Sequence, residues 1–496
     1  MITPWPRDPV VHEVFTWVWL EELGRSLGRT VTLADVPADE WDRIARRGFD
    51  AVWLMGVWER SPMGAAIARA NGAMSAAHHD VFADLADDDV VGSAYCVRDY
   101  RVDDRLGGEA GLATAREELA QRGARLVLDL VPNHVSPDHR WVTEHPEYFV
   151  RGTADDATRD PSSFIPIGAH VFACGRDPYF PAWPEVLQLD ATNPALREAM
   201  AALVADLTSR CDGLRCDMAM LLLDDVFRHT WGDRVGHEPV EGDRGFWPIV
   251  IDATRRARPD FRLWAEAYWD LEPVLLEQGF DACYDKRLYD RIVHHAPVAE
   301  VRAHLAAPVD GQHHTVRFVE NHDEPRAAGL LSPAAHLAAL SVTLTVPGVA
   351  LVHEGELDRR RVRVPVTLAR RPAEEPDRSI ADGVRRVLDA VADGLRAGEW
   401  RLGEVTGWAD NPSAERLLTW SWTAPDSRCL VVVNLTDEPA DGMVGWPWPT
   451  DAGRALHLVD RTTGASYDRD GDDAVANGLY VSLPGQGVHV FETHGG

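Results

Sequence analysis

The chain has 496 residues, too many for one ordinary hydrophobic core, so two or three domains are expected. Hydrophobic residues make up 45% of it and charged residues 26%, which is typical of a soluble globular protein and excludes a disordered chain. The formal net charge of −29 argues against nucleic acid and against anionic membrane surfaces, because both attract Lys and Arg.

The six cysteines are widely scattered and form no Cys-x-x-Cys pair, which argues against a zinc or thioredoxin-like site. The first residues lack a basic segment followed by an apolar one, so no signal peptide is expected. No run reaches the ~18 apolar residues of a membrane span. We therefore expect a cytoplasmic protein with reduced thiols and no membrane partner.

In chain order, the first half predicts an alternation of strands and helices. Short apolar runs predict the strands, and amphipathic stretches that stop at Gly predict the helices. This alternation indicates βα units in a parallel sheet. The predicted segments are a strand at 10–17, a helix at 37–48, a strand at 49–56, a helix at 109–121 and a strand from 125.

The stretch 135–190 breaks this rhythm, because it is rich in Pro, Asp and aromatic residues and is longer than an ordinary loop. The alternation resumes afterwards and ends near residue 398, and short β runs separated by Gly, Pro and Asp turns follow. We predict a first barrel part at 1–134, an insertion at 135–190, a second barrel part at 191–398 and an antiparallel β-sandwich at 399–496.

Four apolar runs each end in acids, Arg, Asn or His. A parallel strand that is buried on both faces typically has an apolar sequence of this kind. In barrel enzymes the catalytic residues lie at the C-terminal ends of the strands. These side chains are therefore expected to converge on one mouth. The residues concerned are Asp129, Asn133, His134, Arg215, Asp217, Glu266, Asn321, His322 and Asp323.

The four segments, in this order, resemble those of the α-amylase family of glycoside hydrolases. The family's third strand reads Asp-x-x-x-Asn-His, its fourth Gly-x-Arg-x-Asp, its fifth carries one Glu, and its seventh reads Asn-His-Asp. The resemblance implies a (β/α)8 TIM barrel with a small B domain inserted after the third strand and a C-terminal antiparallel β-sandwich domain.

The resemblance assigns the catalytic roles of a retaining mechanism, which needs a carboxylate nucleophile and a protonated carboxyl group. Asp217 is implied as the nucleophile, Glu266 as the general acid, and Asp323 as the group that stabilises the transition state. Arg215, two residues before Asp217 on the same face, is expected to lower the pKa of Asp217. Trp264 shares the face of Glu266 and is expected to form an apolar wall beside it.

Four residues are candidates for substrate binding: Tyr95, His134, Arg215 and His322. Tyr95 stands four residues before Asp99, a spacing that resembles the family's stacking tyrosine. The two histidines, as neutral imidazoles, would hydrogen-bond sugar hydroxyls; the alternative is a structural histidine. Asp129 is expected either to orient Arg215 or to contact substrate. Weaker candidates for aromatic platforms at the mouth are Trp58, Phe172, Tyr179, Phe180 and Trp183.

No cofactor is expected. Asn133 matches an asparagine that binds calcium in many extracellular members of the family, so calcium remains an alternative. The chain departs from many α-amylases at Met220 and Leu221, where those enzymes carry Lys-His on the leaving-group side. An apolar leaving-group side is expected to disfavour long starch chains.

The sequence therefore predicts a retaining α-glycosidase that acts on short α-glucosides or maltooligosaccharides, with an α-linked oligosaccharide or glucoside as its partner. An α-glucan transglycosidase, which passes the same covalent intermediate to a sugar or phosphate acceptor, is the alternative. A non-catalytic barrel that only binds ligands is a third possibility, and it would predict eroded catalytic acids.

Overall fold

The computed structural model describes residues 4–237, 242 and 244–493. Eight parallel strands close into a barrel in which each strand pairs with its neighbours in sequence and the first pairs with the last. The strands are β1 (Val10–Phe15), β2 (Ala51–Met55), β3 (Arg125–Leu130), β4 (Gly213–Cys216), β5 (Arg262–Ala265), β6 (Ala282–Tyr284), β7 (Thr315–Arg317) and β8 (Val349–His353).

The barrel strands form where the sequence carries short apolar runs. Every residue of β1, β2, β3, β4 and β8 is buried, as expected for parallel strands covered on both faces. In the register, Arg215 of β4 lies between Asp129 of β3 and Trp264 of β5. This alignment brings the polar residues that follow β3, β4 and β5 to the same end of the barrel.

Helices cover the barrel and fill the connections. No helix in the described ranges is both long and apolar enough to cross a bilayer. The α-helices up to the C-terminal sheets are Thr16–Leu27, Ala38–Ile44, Pro62–Ala70, Gly72–Val81, Gly108–Gln121, Trp141–Glu144, Ala154–Arg159, Pro194–Leu207, Asp224–Trp231, Phe246–Ala257, Glu272–Glu277, Lys286–Val293, Val298–Leu305, Val309–Gln312, Ala327–Leu330, Pro333–Thr345 and Ala381–Ala392.

The insertion after β3 carries an antiparallel sheet. Its strand order is His134–Val135, Trp183–Gln188, His170–Gly175 and Phe164–Ile167. Because His134 pairs with Gln188, the sheet starts directly at the C-terminal end of β3. The insertion therefore forms one wall above the barrel mouth. A separate two-stranded ribbon joins Trp58–Arg60 to Val97–Val102.

Two antiparallel sheets follow the barrel and share an apolar core. The first runs in the order Glu399–Leu402, Leu417–Thr423, Arg428–Asn434, Val488–Thr493, Ala455–Asp460, Ser466–Asp470, and the second in the order Val405–Thr406, Ala440–Val444, Leu479–Leu483. A short helix, Gly471–Asn477, lies between strands. The predicted fold, a TIM barrel with an insertion after the third strand and a C-terminal β-sandwich, is confirmed.

Candidate active site

A cavity of about 310 Å³ opens at the C-terminal end of the barrel. Asp217 and Glu266 follow directly after two barrel strands and are held by backbone hydrogen bonds to the neighbouring strands. The Asp217 N–H donates to the Leu130 carbonyl at 2.8 Å, and the Glu266 N–H donates to the Cys216 carbonyl at 3.0 Å. The cavity, called the catalytic pocket below, is lined by Ser93, Tyr95, His134, Trp183, Glu185, Val186, Asp217, Met218, Glu266, Tyr268 and Asp323.

One buried guanidinium joins the three predicted catalytic acids. The Arg215 side chain is 1% exposed, and its Nη1 lies 2.7 Å from Asp217 Oδ1. Its Nη2 lies 2.8 Å from Glu266 Oε2 and 3.8 Å from Asp323 Oδ2. Three carboxyl groups from the ends of β4, β5 and β7 therefore meet around a single positive charge, although their strands are far apart in sequence.

The surroundings separate the proton affinities of these acids. Burial raises the pKa of Glu266 to about 7, with the charges of Asp217 and Asp323 acting in the same direction and Arg215 against it. Burial raises the pKa of Asp323 too, but the neighbouring His322 cation and Arg215 outweigh it and bring that pKa to about 2. At pH 7 about half of the Glu266 side chains thus keep a proton, whereas Asp323 is ionised.

The effect of Arg215 on Asp217 is smaller than the sequence predicted. Arg215 does lower the pKa of Asp217 by its charge and hydrogen bond, but complete burial of the carboxyl outweighs it, so the pKa is raised overall. The prediction neglected desolvation, which disfavours a buried charge even beside a cation.

The aromatic neighbour of Glu266 is Tyr268, not Trp264. The Tyr268 hydroxyl donates to Glu266 Oε1 at 2.9 Å, and the Met218 N–H donates to Oε2 at 2.6 Å. Trp264 instead packs edge-on against Trp5, with ring centroids 5.7 Å apart, and does not line the pocket. The prediction of an apolar Trp264 wall was wrong, because Trp264 lies one layer deeper in the barrel.

His322 is a cation, which contradicts the expectation of a neutral imidazole. Its Nδ1 lies 2.5 Å from Glu13 Oε1 on β1, and its Nε2 lies 2.9 Å from Asp323 Oδ2. Burial lowers the pKa of His322, but the charges of Asp323 and Glu13 outweigh burial and raise it to about 10. His322 therefore holds Asp323 in its ionised form.

The other candidates for substrate binding divide into two groups. Tyr95 and His134 line the pocket, whereas Arg215 and His322 lie beneath it and do not. The Tyr95 ring stacks on His322 with centroids 5.4 Å apart, and burial lowers the pKa of His134 to about 4, so that imidazole is neutral near pH 7. Arg215 and His322 are thus placed to act through Asp217, Glu266 and Asp323.

Asp129 lies under the site and makes no contact with the pocket. Its carboxylate accepts from the Gly56 N–H at 2.8 Å and from the Trp53 indole at 3.2 Å. Burial raises its pKa to about 6, and the charge of Arg215 opposes that rise. Of the two predicted roles, the arrangement favours support of Arg215.

The five aromatic residues predicted as platforms differ in whether they reach the pocket or are buried. Trp183 lines the catalytic pocket beside His134, while Tyr179 and Phe180 are 65% and 67% exposed. Trp58 and Phe172 are buried, so their prediction as platforms was wrong. The Trp58 indole is directed into the barrel wall, where it donates to the Asp129 carbonyl at 2.8 Å.

A second cavity of about 390 Å³ borders the catalytic pocket, and Met218 and Tyr268 line both. Besides these two, it is lined by Asp177, Phe180, Trp269, Asp270, Glu272, Lys286, Arg287 and Asp290. Its lining mixes aromatic and charged side chains.

Met220 and Leu221 do not line either cavity, contrary to the sequence prediction. They are 0% and 3% exposed in the short 3-10 turn Ala219–Leu222, which is anchored by the Trp247 indole donating to the Ala219 carbonyl at 2.8 Å. The apolar side chains turn into the core because burial there removes them from water. The expected apolar leaving-group side is therefore absent at these positions.

The surroundings of Asn133 do not fit a calcium ion. Calcium requires several oxygen ligands, but the Gln188 amide donates to both Asn133 Oδ1 and the Asn133 carbonyl, each at 2.9 Å. Over the described ranges, no cluster of three or more His, Cys, Asp or Glu is arranged to hold a metal ion. The Gln188 amide would therefore compete with a calcium ion for both oxygens, and no catalytic step is assigned to a metal.

Comparison with known proteins shows that the chain is similar to α-amylases and related glucosidases. The family model of the α-amylase catalytic domain matches residues 38–243. The α-amylase MalA of Haloarcula japonica is 24% identical over 464 residues, which are 90% of this chain and 58% of that protein. An oligo-1,6-glucosidase of Halalkalibacterium halodurans is 26% identical over 163 residues, 32% of this chain and 22% of that protein.

Among solved structures, the noncanonic maltogenic α-amylase AmyB of Thermotoga neapolitana superimposes with a TM-score of 0.68 at 19% identity, covering 99% of both chains. At that identity the likeness shows the fold. The family model, the relatives and the arrangement of the strand-end residues all support a relationship of this chain to the α-amylase family. It spans a little over half the length of the Haloarcula relative.

Several residues of the site were missed by the sequence reasoning. Tyr268 follows Glu266 by two positions, and this alternation was a usable signal that both side chains share a face. Glu13 lay in the predicted first strand, but no local pattern links it to His322, 309 residues away. Ser93 and Glu185 reach the pocket only because the insertion and the loop before it fold over the mouth.

Proposed function

We propose that the protein is a retaining α-glycosidase that acts on short α-glucosides or maltooligosaccharides. The observation that carries the proposal is the meeting of Asp217, Glu266 and Asp323 around Arg215, with the pKa of Glu266 raised to about 7 and that of Asp323 lowered to about 2. Such a separation of pKa values between neighbouring acids marks an acid–base pair. A barrel that only binds ligands would not require it.

In the proposed reaction, an oxygen of Asp217 attacks the anomeric carbon and the bond to the leaving oxygen breaks. Glu266 gives its proton to that oxygen, and a covalent glycosyl–enzyme ester remains. Water then attacks the anomeric carbon while the Glu266 carboxylate takes a proton from the water, and the ester bond to Asp217 breaks, which releases the sugar and restores the Asp217 carboxylate and the protonated Glu266. Asp323, kept ionised by His322, stabilises the positive charge that develops on the sugar ring.

The size of the site supports short substrates. The catalytic pocket and the second cavity, of about 310 and 390 Å³, lie at the lower end of the range of ligand pockets, which is roughly 300–1,000 Å³. The charged lining of the second cavity offers partners for sugar hydroxyls. An oligosaccharide of a few rings thus suits the two cavities.

Product analysis tests this proposal. Maltose, isomaltose, maltooligosaccharides and soluble starch are each incubated with the protein, and the anomer first released is followed by NMR. We expect the α-anomer first and a higher kcat/KM on the short substrates. Release of the β-anomer first would overturn the retaining mechanism, and a higher kcat/KM on starch would overturn the preference for short substrates.

The same incubation with added glucose or inorganic phosphate separates hydrolysis from transfer. The predicted transglycosidase differs only in the acceptor of the glycosyl–enzyme, so both activities use Asp217 and Glu266. Hydrolysis predicts free sugar at an undiminished yield when acceptor is present. A new glycoside or a sugar phosphate as the main product would assign the protein to the transglycosidases.

The pH dependence follows from Glu266. With its pKa at about 7, the general acid loses its proton as the pH rises through neutrality. We therefore expect kcat/KM on unactivated substrates to fall about tenfold per pH unit well above pH 7. A profile of kcat/KM between pH 5 and 10 checks this, and a profile that stays flat to pH 9 would contradict it.

A further inference from the structure

Tyr268 stands at the junction of the two cavities. Its hydroxyl donates to Glu266 Oε1 at 2.9 Å, and its side chain lines both the catalytic pocket and the second cavity. Glu266 lines only the catalytic pocket of these two. The contact between Tyr268 and Oε1 therefore lies where a leaving group would pass from one cavity to the other.

The two oxygens of Glu266 have different surroundings. Oε2 accepts the Met218 N–H at 2.6 Å and faces Arg215 Nη2 at 2.8 Å. Since Oε2 already accepts a backbone N–H and lies beside the Arg215 cation, we place the proton of the neutral acid on Oε1. Tyr268 thus contacts the oxygen that carries the proton to be transferred.

The backbone after Tyr268 is held in a strained conformation. Trp269 and Asp270 have φ values of 62° and 63°, two consecutive non-glycine residues in the left-handed region. Such conformations persist only where the surrounding structure enforces them. Here the Trp269 ring packs edge-on against Tyr179 with centroids 4.8 Å apart, and Asp270 pairs with Arg287. These contacts lie on the two residues that follow Tyr268.

We propose that Tyr268 is a positioning residue: it holds Glu266 Oε1 at the boundary between the two cavities, where the leaving-group oxygen receives its proton. This inference rests on the proposed glycosidase function and adds to it the group that aims the acid. It predicts that loss of the Tyr268 hydroxyl lowers kcat more for substrates whose leaving group needs that proton than for substrates whose leaving group does not.

The hydroxyl also affects the ionisation of Glu266. A neutral tyrosine that donates to a carboxylate stabilises the ionised form, so its loss should raise the pKa of Glu266. The other charged or titratable groups that face Glu266 are Arg215, Asp217, Asp323 and Tyr284, and a change at position 268 leaves all four in place. A shift of the alkaline limb of the pH–rate profile in a Tyr268 variant is thus attributable to the loss of the Tyr268 hydroxyl.

The test is Tyr268→Phe, which removes the hydroxyl and keeps the ring. On α-glucosides with poor leaving groups we expect kcat to fall about tenfold, and on activated aryl α-glucosides less than about twofold. The alkaline limb of the pH profile should move up by as much as about one pH unit. Equal losses on both substrate classes together with an unmoved limb would overturn the proposal.

Tyr480→Phe is the matched control, because its exposed hydroxyl donates to Asp441 Oδ1 at 3.2 Å, far from Glu266 in the C-terminal sheets. It should leave kcat and the pH profile unchanged. If Tyr268→Phe fails to fold, Tyr268→Met, which keeps an apolar side chain without a hydroxyl, replaces it in both measurements with the same expected outcomes.

Glu266→Gln, measured in parallel, separates the two proposals. If it loses activity selectively on poor leaving groups while Tyr268→Phe behaves as wild type, only the role of Tyr268 is wrong. If Glu266→Gln also retains full activity on every substrate, the proposed function itself falls, and the inference about Tyr268 falls with it.

Discussion

Replacement of Asp217 by asparagine is expected to abolish turnover while leaving the protein folded. The amide has nearly the same shape as the carboxylate, so it can remain beside Arg215, which now lies 2.7 Å from Asp217 Oδ1. It is a far weaker nucleophile and cannot form the glycosyl–enzyme ester. In enzymes whose catalytic residues act together, removal of one of them costs several orders of magnitude in rate, so kcat should fall by roughly 10³-fold or more.

Turnover of maltooligosaccharides and the melting temperature are measured together on purified protein. Asp225→Asn serves as control, because Asp225 is an exposed acid in the first turn of Asp224–Trp231 and lines neither cavity. It should retain wild-type activity. An Asp217→Asn protein that keeps more than about a tenth of the wild-type rate would remove Asp217 from the nucleophile's role.

Replacement of Glu266 by glutamine is expected to act selectively. Substrates with poor leaving groups need a proton as the bond breaks, so their kcat/KM should fall by about 10²–10⁴-fold, the usual contribution of general acid catalysis. Activated aryl α-glycosides leave without that proton and should lose much less. The alkaline limb set by the Glu266 pKa of about 7 should disappear with the acid.

The measurement is a series of aryl α-glucosides of increasing leaving-group pKa beside maltose. Glu277→Gln, an exposed position in Glu272–Glu277, controls for the substitution itself. A folded Glu266→Gln protein that loses the same factor on every member of the series would show that Glu266 is not the acid.

The sequence by itself determined the barrel and pointed to the three acids that meet around Arg215. Buried parallel strands must be almost wholly apolar, so a polar residue at the end of such a run is conspicuous. Asp217, Glu266 and Asp323 all stood in that position, and the order of their segments matched the α-amylase family. The short β runs after residue 398 likewise carried their own turn signals.

Only the tertiary structure decided the electrostatics and the walls of the pocket. Whether Arg215 or desolvation dominates at Asp217 depends on how completely the carboxyl is buried, which no local pattern encodes. The charge on His322 is stabilised by Asp323 beside it and by Glu13, at the opposite end of the barrel sequence. Burial and every nearby charge each shift the pKa of a group, and these surroundings exist only once the fold has brought distant strands together.

The residues that line the leaving-group side also could not be predicted from the sequence alone. From the sequence, Met220 and Leu221 occupied positions expected to face substrate, yet a tight turn directs both into the core, and Met218 and Tyr268 line the cavities instead. A sequence motif fixes which residues follow a strand. The direction of each side chain depends on the turn's backbone conformation and on the core that the turn packs against, and these exist only in the folded protein.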